Sequence, residues 1–340
     1  MILKQRIGAF VKMGLFIKQH ADGSYNSEPQ LHQGLDEIIQ AAYIHNGWFN
    51  PNFVKLAIEN IGTMLNIADI ERLVANREVK VSKTVAVICA GNIPMVGFHD
   101  IMCVLLSGNK ALIKFSSDDN ILLPFFLKLL VHYEPAFESY ISFAGNKLSN
   151  FDAVIATGSN NTATHFNYYF GKYPNIIRKN RTSVAVLKGT ESKEDLKQLG
   201  NDIFLYYGLG CRNVSKLLVP QDYTFDAFFE SILDFSFVIE NKKYNNNYEY
   251  HRAIYLLEGH KFLDNNFLMV KESHDLHSPV GVLFFERYNT AEDYKKYIQN
   301  HKDQIQCIVG QDYTPFGYSQ RPVITDFADN VNTFDFLVTL

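Results

Sequence analysis

The sequence predicts an α/β protein built on parallel sheets. Three observations carry that expectation. Short apolar runs rich in β-branched residues, TVAVICA (84–90), KALIKF (110–115) and DAVIAT (152–157), alternate with helix-length stretches, which is the grammar of parallel strands joined by crossover helices. The same alternation resumes with TSVAVL (182–187), KLLVP (216–220) and IQCIVG (305–310). The early strands end in polar turns, GNIP, SSDD and TGSNN, and in open parallel sheets ligands sit beyond the carboxyl ends of the strands.

The elements follow in order. Leu35, Ile38, Ile39, Ala42 and Tyr43 share a face at helical spacing within residues 30–75, Asn46-Gly47 breaks the pattern, and Phe53, Val54, Ala57, Ile58 and Ile61 form a second helix after Pro51. Strand 84–90 is followed by a helix to Ser107, strand 110–115 by a helix over about 120–133. YISFAG (140–145) and DAVIAT (152–157) are further strands, and a helix opens at Gly158-Ser159. In the second half, helices are expected near 193–206, 223–238 and 291–300, with strands at 216–220, 267–271, 280–286 and 305–310. Residues 240–266, polar and Asn-rich (ENKKYNNNYEYH), read as a surface insertion, a solvated loop rather than a site.

Composition narrows the function classes. A hydrophobic fraction of 47% suits a chain of 340 residues that buries a real core. A net charge of −4 gives no electrostatic reason to expect a nucleic-acid partner. Cys89, Cys103, Cys211 and Cys307 lie far apart, with no paired framework, which suits a reducing compartment. Lys4, Arg6, Lys12 and Lys18 interrupt the apolar N-terminus, so neither a signal peptide nor a membrane span is expected, and the cytoplasm is the expected location.

Cys211 lies in GLGCRN. The glycines let the backbone turn sharply, and the adjacent Arg212 favours the thiolate, the nucleophilic form. A lone cysteine is also commonly a small buried hydrophobe, the reading given to Cys89, Cys103 and Cys307. Asn92, directly after a strand, can donate to a developing oxyanion or stabilise its own turn. Lys114, Ser116 and Ser117 at a strand end suit a ribose or phosphate, as they would suit an ordinary solvated strand end. Thr157, Gly158 and Ser159 open a helix whose amides attract phosphate, or simply cap it. There is no H-E-x-x-H, no G-x-S-x-G and no Walker loop, and His274, Asp275 and His277 lack metal-ligand spacing.

In this order these signals resemble the aldehyde dehydrogenase superfamily. The likeness runs through VAVICAGNIPMVGFHDIMCVLLSGNKALIKFSS, ATGS (156–159), GLGCRN and HSPVGVLFFERY (277–288). Within it, the chain is most similar to acyl-CoA reductases of the LuxC type, associated with bacterial bioluminescence; NGWF (46–49) and the DFADNVNTFDFL ending share the likeness. The resemblance implies residues 1–185 as N-terminal helices plus a nicotinamide-cofactor domain, 186–315 as a catalytic domain carrying Cys211, and 316–340 as a tail packing back on the fold. It implies Cys211 as the nucleophile, Asn92 as the oxyanion amide, Lys114 and Ser116 at the adenosine ribose, Gly158 and Ser159 at the pyrophosphate, and Asp275 at the nicotinamide ribose.

Two departures refine the expectation. Aldehyde-oxidising members carry a glutamate general base, and RKNRTSVAVL (178–187) has none; without a base to activate water, exchange of one thioester for another fits better than hydrolysis. Many NAD-preferring members place a glutamate shortly after the lysine, where this chain has Ser117, which favours NADPH, with NADH as the alternative. The expected activity is reduction of a long-chain acyl-CoA, or of an acyl-protein donor, to the fatty aldehyde. A homo-oligomer or a fatty-acid reductase complex is the expected assembly. An acyl-phosphate reductase using Arg212 and Arg181, and a non-catalytic subunit of a multi-enzyme complex, are the rival readings.

Overall fold

The computed structural model of the protein describes residues 1–24, 28–75, 77–145 and 148–340. The chain divides into two compact units, Met1–Asn180 with Val323–Leu340, and Arg181–Pro322.

The first unit opens with four helices, α1 (Leu3–Ala21), α2 (Pro29–His45), α3 (Pro51–Met64) and α4 (Ile67–Val74). Although the resemblance implies N-terminal helices, the residue pattern alone does not give helix α1. Its charges masked a clear inner face of Ala9, Phe10, Met13, Phe16 and Ile17, all buried. Arg6 belongs to the buried set as well, and its guanidinium is satisfied by the Leu106 and Met1 carbonyls and by Glu78. In α2 the inner face is His32, Leu35, Ile39 and Ala42; Tyr43 falls outside it, and its ring is exposed.

The first sheet comprises β1 (Thr84–Ile88), β2 (Lys110–Lys114), β3 (Ile141–Phe143), β4 (Ala153–Thr157) and β5 (Asn175–Arg178). Its order is β3-β2-β1-β4-β5 with every pairing parallel. The chain adds strands outward on one side of β1 and then on the other, so β1 and β4 flank the topological switch point where such sheets open a crevice. Helices α5 (Phe98–Ser107), α6 (Leu122–Tyr133) and α7 (Asn160–Phe170) link the strands. Val85, Ala86 and Val87 are buried on both faces, as an interior parallel strand requires. The sequence reading missed β5, four residues too short for a periodicity to show. The C-terminal segment joins this unit through a 3-10 turn (Ala328–Asn330) and α12 (Thr333–Val338). The Asn109 amide donates to the Leu337 carbonyl at 3.1 Å, and Arg178, paired with buried Asp100, also donates to Thr333 Oγ1 at 2.8 Å.

The second unit carries β6 (Thr182–Val186), α8 (Lys193–Phe204), β7 (Val214–Pro220), α9 (Asp226–Ser231), a 3-10 turn (Leu233–Glu240), α10 (Lys242–Leu257), β8 (Leu263–Asp264), β9 (Met269–Glu272), β10 (Val282–Tyr288), α11 (Ala291–Asn300) and β11 (Ile305–Val309). The sheet order is β11-β6-β7-β10-β9-β8, parallel except for the edge strand β8. The division between units falls ahead of β6, because that strand pairs with β7 and β11; a boundary at residue 185 would cut through it.

The Asn-rich segment is a correction to the sequence reading: it is helix, not loop. Asn241 caps α10 by accepting from the Lys243 and Tyr244 amides. Tyr244, Tyr248 and Tyr255 lie on one buried face, with the Tyr244 hydroxyl donating to the Phe267 carbonyl and that of Tyr248 to Asp264. Packing of this face overrides the low helix propensity of asparagine. Among the described residues, no helix is long and apolar enough to cross a membrane.

Candidate functional site

In the first unit, three turns leave the carboxyl edge of the sheet. β1 runs out into Gly91-Asn92-Ile93-Pro94-Met95. Gly91 is held to glycine by contact: a Cβ there would lie 2.6 Å from Ser116 Oγ and 3.0 Å from Asp118 Cβ, so the turn after β1 backs directly onto the turn after β2. Met95 adopts a left-handed φ of 64°. Its amide donates at 2.7 Å to Asp119 Oδ2. Asp119 is buried, and that burial pushes its carboxyl up to about 6 despite hydrogen bonds from the Met95 and Leu122 amides. Asn92 itself is exposed on this turn.

Lys114 ends β2 in register with Ile88 and is half-buried. Ser116 Oγ accepts the Asp118 amide at 3.2 Å. The end of α2 and the start of NGWF brace this turn: His45 Nε2 contacts the Ser117 carbonyl at 2.7 Å, and the Asn46 side-chain amide donates to the Asp118 carbonyl at 3.3 Å. At the end of β4, Thr157 gives way to Gly158, where a Cβ would meet Thr162 at 2.9 Å. Ser159 then caps α7 through its Oγ and the Thr162 amide. Asn92, Lys114, Ser116, Ser117, Thr157, Gly158 and Ser159 therefore share one edge of one sheet, at or beside its switch point.

In the second unit, Cys211 occupies the turn that leads into β7. The approach is strained: Tyr206, Tyr207 and Gly208 take φ values of 53°, 57° and 77° in succession, a conformation that costs non-glycine residues about 1–3 kcal/mol each. Asn213 holds it. The Gly210 amide donates to Asn213 Oδ1 at 2.8 Å, and Asn213 Nδ2 donates to the Asp202, Ile203 and Leu205 carbonyls at 3.1, 3.3 and 2.8 Å. Those carbonyls lie at the C-terminal end of α8, where intrahelical partners run out. Asp202 carries the network outward, its carboxylate accepting the Gly317 and Ser319 amides at 2.6 and 2.9 Å. The Cys211 carbonyl accepts from Ser183 Oγ at 3.1 Å.

All four cysteines are thiols. Cys89 and Cys103 are buried, and burial raises both thiols far above their ordinary value. Gly97 presses on Cys89, since a Cβ there would lie 2.2 Å from Sγ. Cys307 is buried against Thr314, while Cys211 is half-exposed beside half-exposed Arg212.

Asp275 lies in the same unit, exposed on the turn after β9, with Ser273 Oγ 3.3 Å from its carboxylate. Beneath this turn Lys216, in β7, is fully buried. Its ammonium donates to the Ser273 carbonyl, to that of Asp275 at 3.2 Å and to Glu286 Oε2 at 2.9 Å. Burial lowers its pKa, opposed by Glu286. Sequence reasoning gave no supporting role to Asn213, Lys216, Asp202 or Asp119. A lysine inside the apolar run KLLVP was the one signal available.

Comparison with known proteins places this architecture. The acyl-CoA reductase (LuxC) family model matches residues 77–230. No curated protein matches the chain. Among solved structures, an indole-3-acetaldehyde dehydrogenase complexed with NAD+ superposes with a TM-score of 0.66 at 12% identity, over 91% of this chain and 72% of that one. A benzaldehyde dehydrogenase from Corynebacterium glutamicum, described as NAD-dependent, gives 0.64 at 11% identity over 91% and 76%. An NADP-dependent enzyme of E. coli gives 0.66 at 10% over 91% and 73%. At these identities the structures establish the fold, and the likeness to the LuxC family model is confined to residues 77–230. The chain has the aldehyde dehydrogenase fold, its residues 77–230 match the acyl-CoA reductase (LuxC) family model, and together these support an oxidoreductase acting at the aldehyde level.

Proposed function

We propose that the protein reduces a long-chain fatty acyl-CoA to the fatty aldehyde with NADPH, and that Cys211 carries the acyl group as a thioester. The contrast among the four cysteines supports this most. Burial disfavours the thiolate at Cys89 and Cys103, whereas Cys211 is half-exposed and followed in sequence by half-exposed Arg212.

The Cys211 thiolate adds to the thioester carbonyl carbon. The carbon–sulfur bond to CoA breaks, and CoA leaves as a thiolate that takes a proton from solvent. The resemblance assigns the oxyanion to Asn92 and the Cys211 amide, and each such donor would lower the barrier by about 3–4 kcal/mol. One thioester replaces another, so no activated water is needed, in keeping with the absence of a glutamate from 178–187. When bound, NADPH supplies the hydride that reduces the acyl carbon, so that acyl-CoA, NADPH and a proton balance aldehyde, CoA and NADP+. The bond from that carbon to Cys211 breaks as the aldehyde departs, restoring the thiolate.

The donor set of the first unit fits the cofactor. Lys114 and Ser116 would hold the adenosine ribose and its phosphate, with Ser117 adding no charge. Thr157, Gly158 and Ser159, at the N-terminus of α7, would hold the pyrophosphate. On the second unit, the resemblance assigns the nicotinamide ribose to Asp275. A reducing compartment such as the cytoplasm suits a thiol nucleophile. An acyl-protein donor and a reductase-complex partner, or self-association, are compatible with this chemistry.

The test is Cys211→Ala with labelled acyl-CoA. Covalent labelling and NADPH oxidation should both be lost; persistent labelling, or undiminished oxidation, refutes the reading. Acyl-CoAs of increasing length test the chain preference, and best activity with acetyl-CoA overturns it. Preference for an acyl phosphate, or no NADPH binding at all, points to the rivals.

A further inference from the structure

A fully buried lysine in a central strand is expensive: removing a charge from water costs several kcal/mol, and an apolar residue of similar volume is often at least as stable. Lys216 meets that cost with a complete set of partners. Its three N–H donors face three acceptors, the Ser273 and Asp275 carbonyls and Glu286 Oε2, and the Tyr297 ring lies 5.3 Å from Nζ. Two of the three acceptors are backbone atoms of the turn that presents Asp275. The preceding residue grips the same turn: Ser215 Oγ donates to the Leu276 carbonyl at 3.0 Å. Both residues belong to β7, whose first residue is only three positions beyond Cys211. The strand that starts at the nucleophile's turn thus clamps the Asp275 turn at both ends, while the Asp275 side chain stays exposed. A fixed backbone with a carboxylate left to solvent is what a ligand-binding carboxylate needs.

We propose that Lys216, assisted by Ser215, is a positioning residue that fixes the Asp275 carboxylate for the nicotinamide ribose. This rests on the function proposed above, which assigns Asp275 that contact. Lys216 touches neither substrate nor cofactor and acts through the turn.

The experiment compares Lys216→Met, Ser215→Ala, Asp275→Asn and the double variants with wild type, in the full-length protein. Two quantities are read: NADPH affinity by fluorescence titration, and covalent labelling by acyl-CoA without NADPH. Lys216→Met should weaken NADPH binding about 10-fold and Ser215→Ala about 3-fold, as losses of charged and neutral hydrogen bonds would. Labelling of Cys211 should stay within about twofold of wild type, since no nicotinamide takes part in it. Asp275→Asn combined with Lys216→Met should bind NADPH no worse than Asp275→Asn alone, because both act through one contact. Lys216→Arg should restore most of the affinity. Unchanged NADPH affinity in the single variants, or multiplying effects in the double variants, overturns the proposal. If Lys216→Met does not fold, Ser215→Ala and its double with Asp275→Asn carry the same test. A wild type that binds no NADPH or takes no label refutes the parent reading instead.

Discussion

Asn213 is the residue on which the geometry of the Cys211 turn most depends, and Asn213→Ala measures that dependence. The substitution leaves the buried Gly210 amide without its acceptor at 2.8 Å. An unsatisfied buried donor costs about 1–3 kcal/mol. It also strips the side-chain donor from the Asp202, Ile203 and Leu205 carbonyls, adding about 1 kcal/mol for bonds of ordinary net worth. The expected destabilisation is about 2–4 kcal/mol, a large part of the ~5–15 kcal/mol typical of a folded domain but short of unfolding it. Below the transition nearly all molecules remain folded, so any loss of chemistry is local. Freed of Asn213, the left-handed residues Tyr206 and Tyr207 relax, and the thiol moves with them. A displacement of order 1 Å at a reacting atom costs up to about 100-fold, so labelling of Cys211 by acyl-CoA should slow about 10- to 100-fold. Urea titration followed by far-UV circular dichroism gives the first quantity, and quenched-flow labelling the second. A shift below about 0.5 kcal/mol together with an unchanged labelling rate would refute the assigned role.

Two further outcomes test the first unit. The Asp119 carboxyl is raised from 3.8 to about 6 by burial, so the native state holds its proton more tightly than the unfolded chain does; its contribution to stability is fully present below about pH 4 and is lost as pH rises through 6, by up to about 3 kcal/mol in all. Asp119→Asn removes that loss, so urea midpoints at pH 4.5 and 7.5 should differ less in the variant than in wild type, and equal differences would sink the assignment. Lys114→Ala should lower kcat/KM with NADPH about 10-fold and leave NADH within about threefold, if the lysine meets a 2′-phosphate with a charge-assisted bond. Parallel losses with both cofactors would place Lys114 elsewhere, and a gain for NADPH in Asp118→Ala would identify that exposed carboxylate as the group opposing the phosphate.

The strands and their ends were legible because a buried parallel strand is written as a short apolar block and its ligand-side turn as a polar one, so β1, β2, β4, β6 and β7 and their turns emerged from pattern alone. Helix α1 and helix α10 did not, for opposite reasons. In α1 the charges that broke the apolar run lie mostly on the solvent face, and the buried Arg6 is paired. In α10 three tyrosines supply a buried face that asparagines conceal. The supporting residues were invisible for a deeper reason. Asn213, Asp202, Lys216 and Asp119 act through backbone carbonyls and amides, and a one-dimensional sequence names side chains but not the carbonyls they will meet. The strand end can be read; the groups that hold it still can be found only where the chain has folded back to offer them partners.

That asymmetry bears on how the chemistry is built. The residues proposed to touch substrate or cofactor lie on turns or at strand ends and are partly or fully exposed, whereas the residues that hold those turns are buried and polar. Each buried group costs stability unless it is satisfied, and in Asn213 and Lys216 the partners are turn backbone. The cost is therefore concentrated beneath the turns that need fixed geometry. It follows that substitutions at Asn92 or Lys114 should change rates and affinities with little change in stability. Substitutions at Asn213 should change stability and chemistry together, and those at Lys216 stability and NADPH affinity, which is the signature that separates a support from the site it supports.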